Sequence, residues 1–114
     1  MVKNEKKELI KKLIALGARP KYKAFNYLVF MFQNYKLEQL SLMEKGDIYD
    51  VVAKKFGIPT DTVERNFRTI IGSYFQGLNN DNLLTRSMPT LGKNEQPSVK
   101  EFLIIIACNL DDYE

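Results

Sequence analysis

At 114 residues the chain is one domain's worth of protein, because single cores commonly run to about 100–150 residues. Its 45% hydrophobic and 27% charged residues supply a core, which excludes a disordered tail, and its singly scattered glycines and prolines exclude linker-like segments. The formal net charge of +3 is mild, but residues 1–25 hold eight basic side chains against Glu5 and Glu8, and the remainder is net acidic. That asymmetry fits a nucleic-acid or membrane contact, or simply a solvated helix face.

The absences narrow the chemistry. With no histidine, imidazole acid–base catalysis, Ser–His and Cys–His nucleophile pairs and the commonest metal ligand are all removed. Glycines 17, 46, 57, 72, 77 and 92 never cluster into a phosphate-binding loop. The composition points away from an enzyme, and no metal or cofactor is expected. The lone Cys108 lies in the apolar run Phe102 to Cys108 and is expected to be a buried structural thiol. That run is far shorter than the ~18 residues needed to span a bilayer, and no signal-peptide order is present. A cytoplasmic protein without a membrane partner is expected.

Helical periodicity runs along most of the chain. Leu9, Ile10, Leu13, Ile14 and Leu16 form a stripe on a first helix that Gly17 stops. With its lysines, the segment 3–16 also has the make-up of a membrane-surface anchor, although the stripe is needed to cover the second helix. Pro20 suits the first turn of that second helix, which carries Tyr22, Phe25, Leu28, Val29, Phe32 and Tyr35, widened by Phe30 and Met31. So apolar a helix belongs at the centre. Leu37 to Met43 reads as a connecting turn.

Asp47 is positioned to cap a third helix carrying Ile48, Val51, Val52 and Phe56, which Gly57 ends. Thr60 is positioned to cap a fourth, running to about Leu78 with Val63, Phe67, Ile70, Ile71, Tyr74 and Phe75 inward. Asn79 to Thr90 reads as a polar loop with room for one helical turn around Leu83-Leu84. The run Phe102 to Ile106 suits a buried strand by composition. However, Ser98-x-x-Glu101 has capping-box spacing after Pro97, and no second strand exists to pair with, so it reads as a helix. The domain is all-α.

The segment Tyr49 to Ile70 carries the functional signal. Two helices flank a turn holding Gly57, with Ala53 four residues before it and Val63 six after it. This is helix-turn-helix spacing: Ala53 small for a close crossing, Gly57 free to take positive φ, and Val52, Phe56, Ile58 and Val63 filling the wedge. Asn66 occupies a position usually apolar. An ordinary αα-hairpin shares the glycine and the wedge. Outward from the second helix project Thr62, Glu64, Arg65, Arg68 and Thr69, with Thr60 at its start and Lys54 and Lys55 on the supporting helix. Arginine forks onto guanine O6 and N7, glutamate accepts from cytosine N4, and lysines hold phosphates. Glu64 and Arg68 are also spaced as a plain i,i+4 surface ion pair. These eight residues are the candidate DNA-binding set. The chain thus reads as one helical DNA-binding domain over residues 1–114, with the helix-turn-helix about 47–78.

Ala53-Lys54-Lys55-Phe56 followed by Val63-Glu64-Arg65 and Arg68 resembles the C-terminal DNA-binding domain of the master sporulation response regulators of spore-forming bacteria. Leu16-Gly17, Lys23, Tyr27-Leu28, Pro97-Ser98 and Glu101-Phe102 extend the likeness over roughly residues 9 to 110. The resemblance implies a compact six-helix transcription-factor domain that binds double-stranded DNA in the major groove. It also implies two domains head to tail on tandem boxes and contact with an RNA polymerase sigma factor. The family's base-contacting glutamate and arginines carry onto Glu64, Arg65 and Arg68. One further arginine of the family falls at Thr62, which implies altered specificity, since threonine makes no bidentate guanine contact. The family's receiver domain does not precede the domain in this sequence, as expected for a stand-alone relative or a fragment. The alternative function is a protein-interaction module or antagonist that keeps the fold and binds a related regulator or a polymerase subunit.

Overall fold

The computed structural model describes residues 2–73 and 97–110, with side chains from residue 6 onward. Among them are six helices and no strand: α1 (Val2–Leu16), α2 (Lys23–Asn34), α3 (Leu37–Leu42), α4 (Lys45–Phe56), α5 (Thr60–Ser73) and α6 (Val99–Cys108). The all-α expectation holds. Tyr74, Phe75, the end of the fourth helix at Leu78 and the Asn79–Thr90 loop lie outside the described residues. No helix among the described residues is long and apolar enough to cross a membrane.

α1 lays Leu13 and Leu16 into the core, with Leu9 and Ile10 packed at its edge. Ile14 was expected in this stripe but is 47% exposed. α2 is the main neighbour of α1, so the covered strip is too narrow to include it. Gly17 ends the helix at φ 114. Its N–H donates to the Ile14 carbonyl and that of Ala18 to Leu13, both at 3.0 Å, which is a Schellman closure with Leu13 and Ala18 as its buried apolar pair.

Pro20 does not enter the second helix. It occupies the turn closed by the Tyr22 N–H on the Arg19 carbonyl at 3.2 Å, where its fixed φ suits the second turn position. α2 therefore starts at Lys23. It buries Ala24, Phe25, Tyr27, Leu28, Val29, Met31 and Phe32 and packs on α1, α4 and α5, the central placement its composition implied.

The expected turn at 37–43 is instead the short helix α3. The Lys36 N–H donates to Gln39 Oε1 at 2.8 Å, and Leu40, only 1% exposed, anchors the helix, which packs against α6. So short a helix has too few turns to show periodicity, and its docking sustains it.

α4 begins at Lys45, earlier than a cap at Asp47 would place it. Asp47 acts from inside the first turn, where Oδ2 accepts the Glu44 N–H at 3.0 Å, a position that also favours its charge. Ile48 and Val52 are fully buried. Thr60 is likewise the first residue of α5 rather than its cap. The Pro59 carbonyl accepts the N–H groups of Thr62 at 3.1 Å and Val63 at 3.2 Å. Val63, Phe67, Ile70 and Ile71 face inward as expected.

α6 confirms the choice of helix over strand. The Ser98 N–H donates to Glu101 Oε1 at 2.9 Å, and the Glu101 N–H to Ser98 Oγ at 3.2 Å. Phe102, Leu103, Ile106 and Ala107 are buried against α3, α4 and α5. Cys108 contradicts the expectation of a buried thiol: it is exposed. A helix buries only one face of an apolar run, and Cys108 falls past that face at the helix end.

Gly57→Ala should destabilise the fold by about 1–2 kcal/mol. The cost is conformational, because φ is +66 while a Cβ there meets no atom within 4 Å. Gly46→Ala, on α4 with equally open space, should stabilise by about 0.5 kcal/mol. Thermal unfolding of both variants checks the pair.

Candidate nucleic-acid interface

α4 and α5 are joined by Gly57-Ile58-Pro59. Ala53, four residues before the glycine, provides the carbonyl that closes the turn, accepting from the N–H groups of both Gly57 and Ile58. Val52 and Val63 fill the angle between the helices with no exposure, and Ile58 is half-buried at its rim. Phe56 does not fill the wedge. It remains 37% exposed, with its ring centroid 5.0 Å from Tyr27 and 6.1 Å from Phe30. At the last residue of α4 the side chain leans onto α2 instead.

The outward arc of α5 centres on Arg65, with Arg68 and Thr69 on either side, all three exposed. Thr62 and Glu64, expected to project outward, stand half-buried at the two edges of the arc, Glu64 beside the cleft that α4 and the start of α6 share with α5. The Thr69 hydroxyl donates to the Arg65 carbonyl at 3.0 Å, which leaves its oxygen available as an acceptor. Glu64 and Arg68 form the anticipated i,i+4 pair at 2.7 Å. With Arg68 side-chain exposure at 69%, that pair is worth only about 0.3–0.5 kcal/mol and is readily exchanged for other partners. Lys54 and Lys55 are exposed on the last turn of α4 and Thr60 at the start of α5. The Lys55 ammonium lies 5.9 Å from the Phe30 ring centroid. The structure thus brings Thr62, Glu64, Arg65, Arg68 and Thr69 onto one helix, and sets the two lysines and Thr60 on either side of the turn.

Beside this arc a cleft of about 280 Å³ is lined by Lys45 and Tyr49 of α4, Glu64 and Arg68 of α5, and Ser98 before α6. Tyr49 was not among the expected site residues. Its place one turn after Lys45 marks a helix edge, but nothing in the sequence shows that α6 closes the other wall. Burial pushes the Tyr49 phenol above its usual 10.0, the negative charge of Glu64 raises it further, and Arg68 opposes both. Asn66, the polar residue at a usually apolar position, donates from Nδ2 to the Tyr27 hydroxyl at 2.8 Å. Among the described residues no cluster of His, Cys, Asp or Glu has the make-up of a metal site.

An all-helical unit whose fifth helix turns two exposed arginines, Arg65 and Arg68, to solvent beyond a glycine turn has features of a DNA-binding regulatory domain. The family model for the sporulation initiation factor Spo0A C terminal matches residues 9–110, and the chain belongs to this family of DNA-binding, transcription-regulating domains, which is not an enzyme family. No curated protein and no solved structure matches the chain.

Glu64→Gln should bring the Tyr49 pKa down toward 10.0, since it removes one of the two raising causes. A phenol raised in the folded state adds stability that is complete below pH 10.0 and is lost as pH rises through the folded value. Wild-type stability should therefore fall above pH 10.0 more steeply than that of Tyr49→Phe. Ring-resolved NMR titration and urea unfolding on both sides of that pH measure the two effects.

Proposed function

We propose that the chain is a sequence-specific regulator of transcription that places α5 in the major groove of double-stranded DNA. The observation that carries this reading is Arg65, exposed at the centre of the outward arc of α5 with Arg68 beside it. Arg65 and Arg68 fork onto guanine edges, and Glu64 accepts from a cytosine amine once released from Arg68. Thr62, Thr69 and Thr60 make single contacts from the edges and start of the helix. Lys54 and Lys55 hold phosphates and set the register without reading sequence. Belonging to a regulatory family, the single domain works in the cytoplasm, with tandem sites and an RNA polymerase sigma factor as the further partners the family likeness suggests. With threonine at position 62, the preferred box departs from the family's own.

Fluorescence anisotropy against a duplex selected from a random-site library, beside a scrambled duplex at two salt concentrations, tests the reading. Salt-sensitive and tighter binding to the selected duplex is expected. Binding to neither duplex overturns it in favour of a protein-interaction module. Arg65→Ala should weaken the selected complex by about 1–3 kcal/mol while relaxing specificity. Lys54→Ala or Lys55→Ala should weaken both complexes alike and reduce the salt slope by about one.

A further inference from the structure

We propose that Tyr27 of α2 is a positioning residue for DNA recognition, setting the rotation of α5 through its hydrogen bond to Asn66. The proposal rests on the DNA-binding reading above. It deepens that reading by assigning a specificity role to a residue remote from the DNA-facing surface.

Tyr27 is 4% exposed and meets both helices of the pair. Its ring lies 5.0 Å from Phe56 of α4 and 5.5 Å, edge-on, from Phe67 of α5. Its hydroxyl accepts from Asn66 Nδ2 at 2.8 Å. The other buried side chains of α2 and of α5 are apolar. Burial of Val63, Phe67, Ile70 and Ile71 sets the rotation of α5 coarsely, by keeping that stripe inward, but apolar burial is non-directional and tolerates small rolls about that position. A hydrogen bond between a ring held by two aromatic neighbours and a short amide is directional, and it narrows the range to one angle.

That angle matters because Asn66 directly follows Arg65. A small roll of α5 swings a long arginine through more than the ~0.5 Å and 10–20° that a productive contact constellation tolerates. Phosphate contacts from the lysines of α4 are less demanding. Loss of the bond therefore affects the reading of sequence and spares general attraction to DNA.

Two variants separate positioning from plain stability. Tyr27→Phe removes the hydroxyl and keeps the ring, leaving the Asn66 amide without its partner. The double variant Tyr27→Phe/Asn66→Leu replaces both partners with apolar groups, an exchange that is close to neutral for stability. Anisotropy on the selected and scrambled duplexes well below the unfolding midpoint, with thermal unfolding alongside, gives both readouts. The single variant should lower the midpoint and cut the selected-to-scrambled affinity ratio roughly five- to tenfold, a part of what a bidentate base contact contributes. The double variant should recover the midpoint but not the ratio, and the salt slope should stay unchanged in both.

Undiminished discrimination by Tyr27→Phe overturns the proposal, as does recovery of discrimination together with stability in the double variant. Equal weakening on both duplexes also overturns it, since that marks general damage. A wild-type chain that binds neither duplex instead overturns the DNA reading itself, and the proposal with it.

Discussion

When α4 reaches Phe56 its final carbonyls have no helical partners, and the chain reverses because Gly57 takes φ 66 and ψ 40. In that left-handed conformation the N–H groups of Gly57 and Ile58 both reach the Ala53 carbonyl. Pro59 then offers its carbonyl to the first N–H groups of α5. The direction in which α5 departs is thereby set within the turn. The burial of Val52 against Val63, the inward face of Phe67 and Ile70, and the outward arc around Arg65 follow from it.

The core that receives this pair carries no buried polar or charged residue among the described positions. Its cohesion comes from apolar burial of α2, α5 and α6, worth about 25 cal/mol per Å² removed from water. Such a core keeps each helix's apolar face inward, while directional contacts refine the angle within that limit. Around Tyr27 its directional contacts are the aromatic edges of Phe56 and Phe67 and the Asn66–Tyr27 hydrogen bond between α5 and α2. The termini of α1, α4 and α6 are closed by local polar devices at Gly17, Asp47 and Ser98.

Against this rigid background the solvent face of α5 is adaptable. The Glu64–Arg68 pair is exposed and weak, so both groups are available to a charged or hydrogen-bonding partner without a large desolvation cost. Tyr49 lies beside them in a cleft where α4, α5 and the start of α6 converge. The electrostatics of the arc therefore depend on an element distant in sequence as well as on α5.

What the sequence by itself determined is what nearest neighbours along the chain decide. The reversal at Gly57, the stop at Gly17 and the reciprocal bonds of Ser98 and Glu101 need only residues within a turn or two. The central role of α2 follows from its apolar density, and the exposure of Arg65 and Arg68 from helical period. Tertiary packing decided the rest. Leu37–Leu42 is helical because Leu40 has a place beneath α6, Phe56 leans onto α2, and Cys108 lies beyond the buried face of its helix. Thr62 and Glu64 are half-buried where the helical period places them outward, and the wall beside Glu64 comes from α4 and the start of α6. Asn66 looked like a flaw in a pattern until Tyr27, thirty-nine residues away in the chain, supplied its partner. Local hydrogen bonds and periodicity are written along the backbone, whereas the contacts that partner Asn66 and flank the outward face of α5 exist only once distant helices have met.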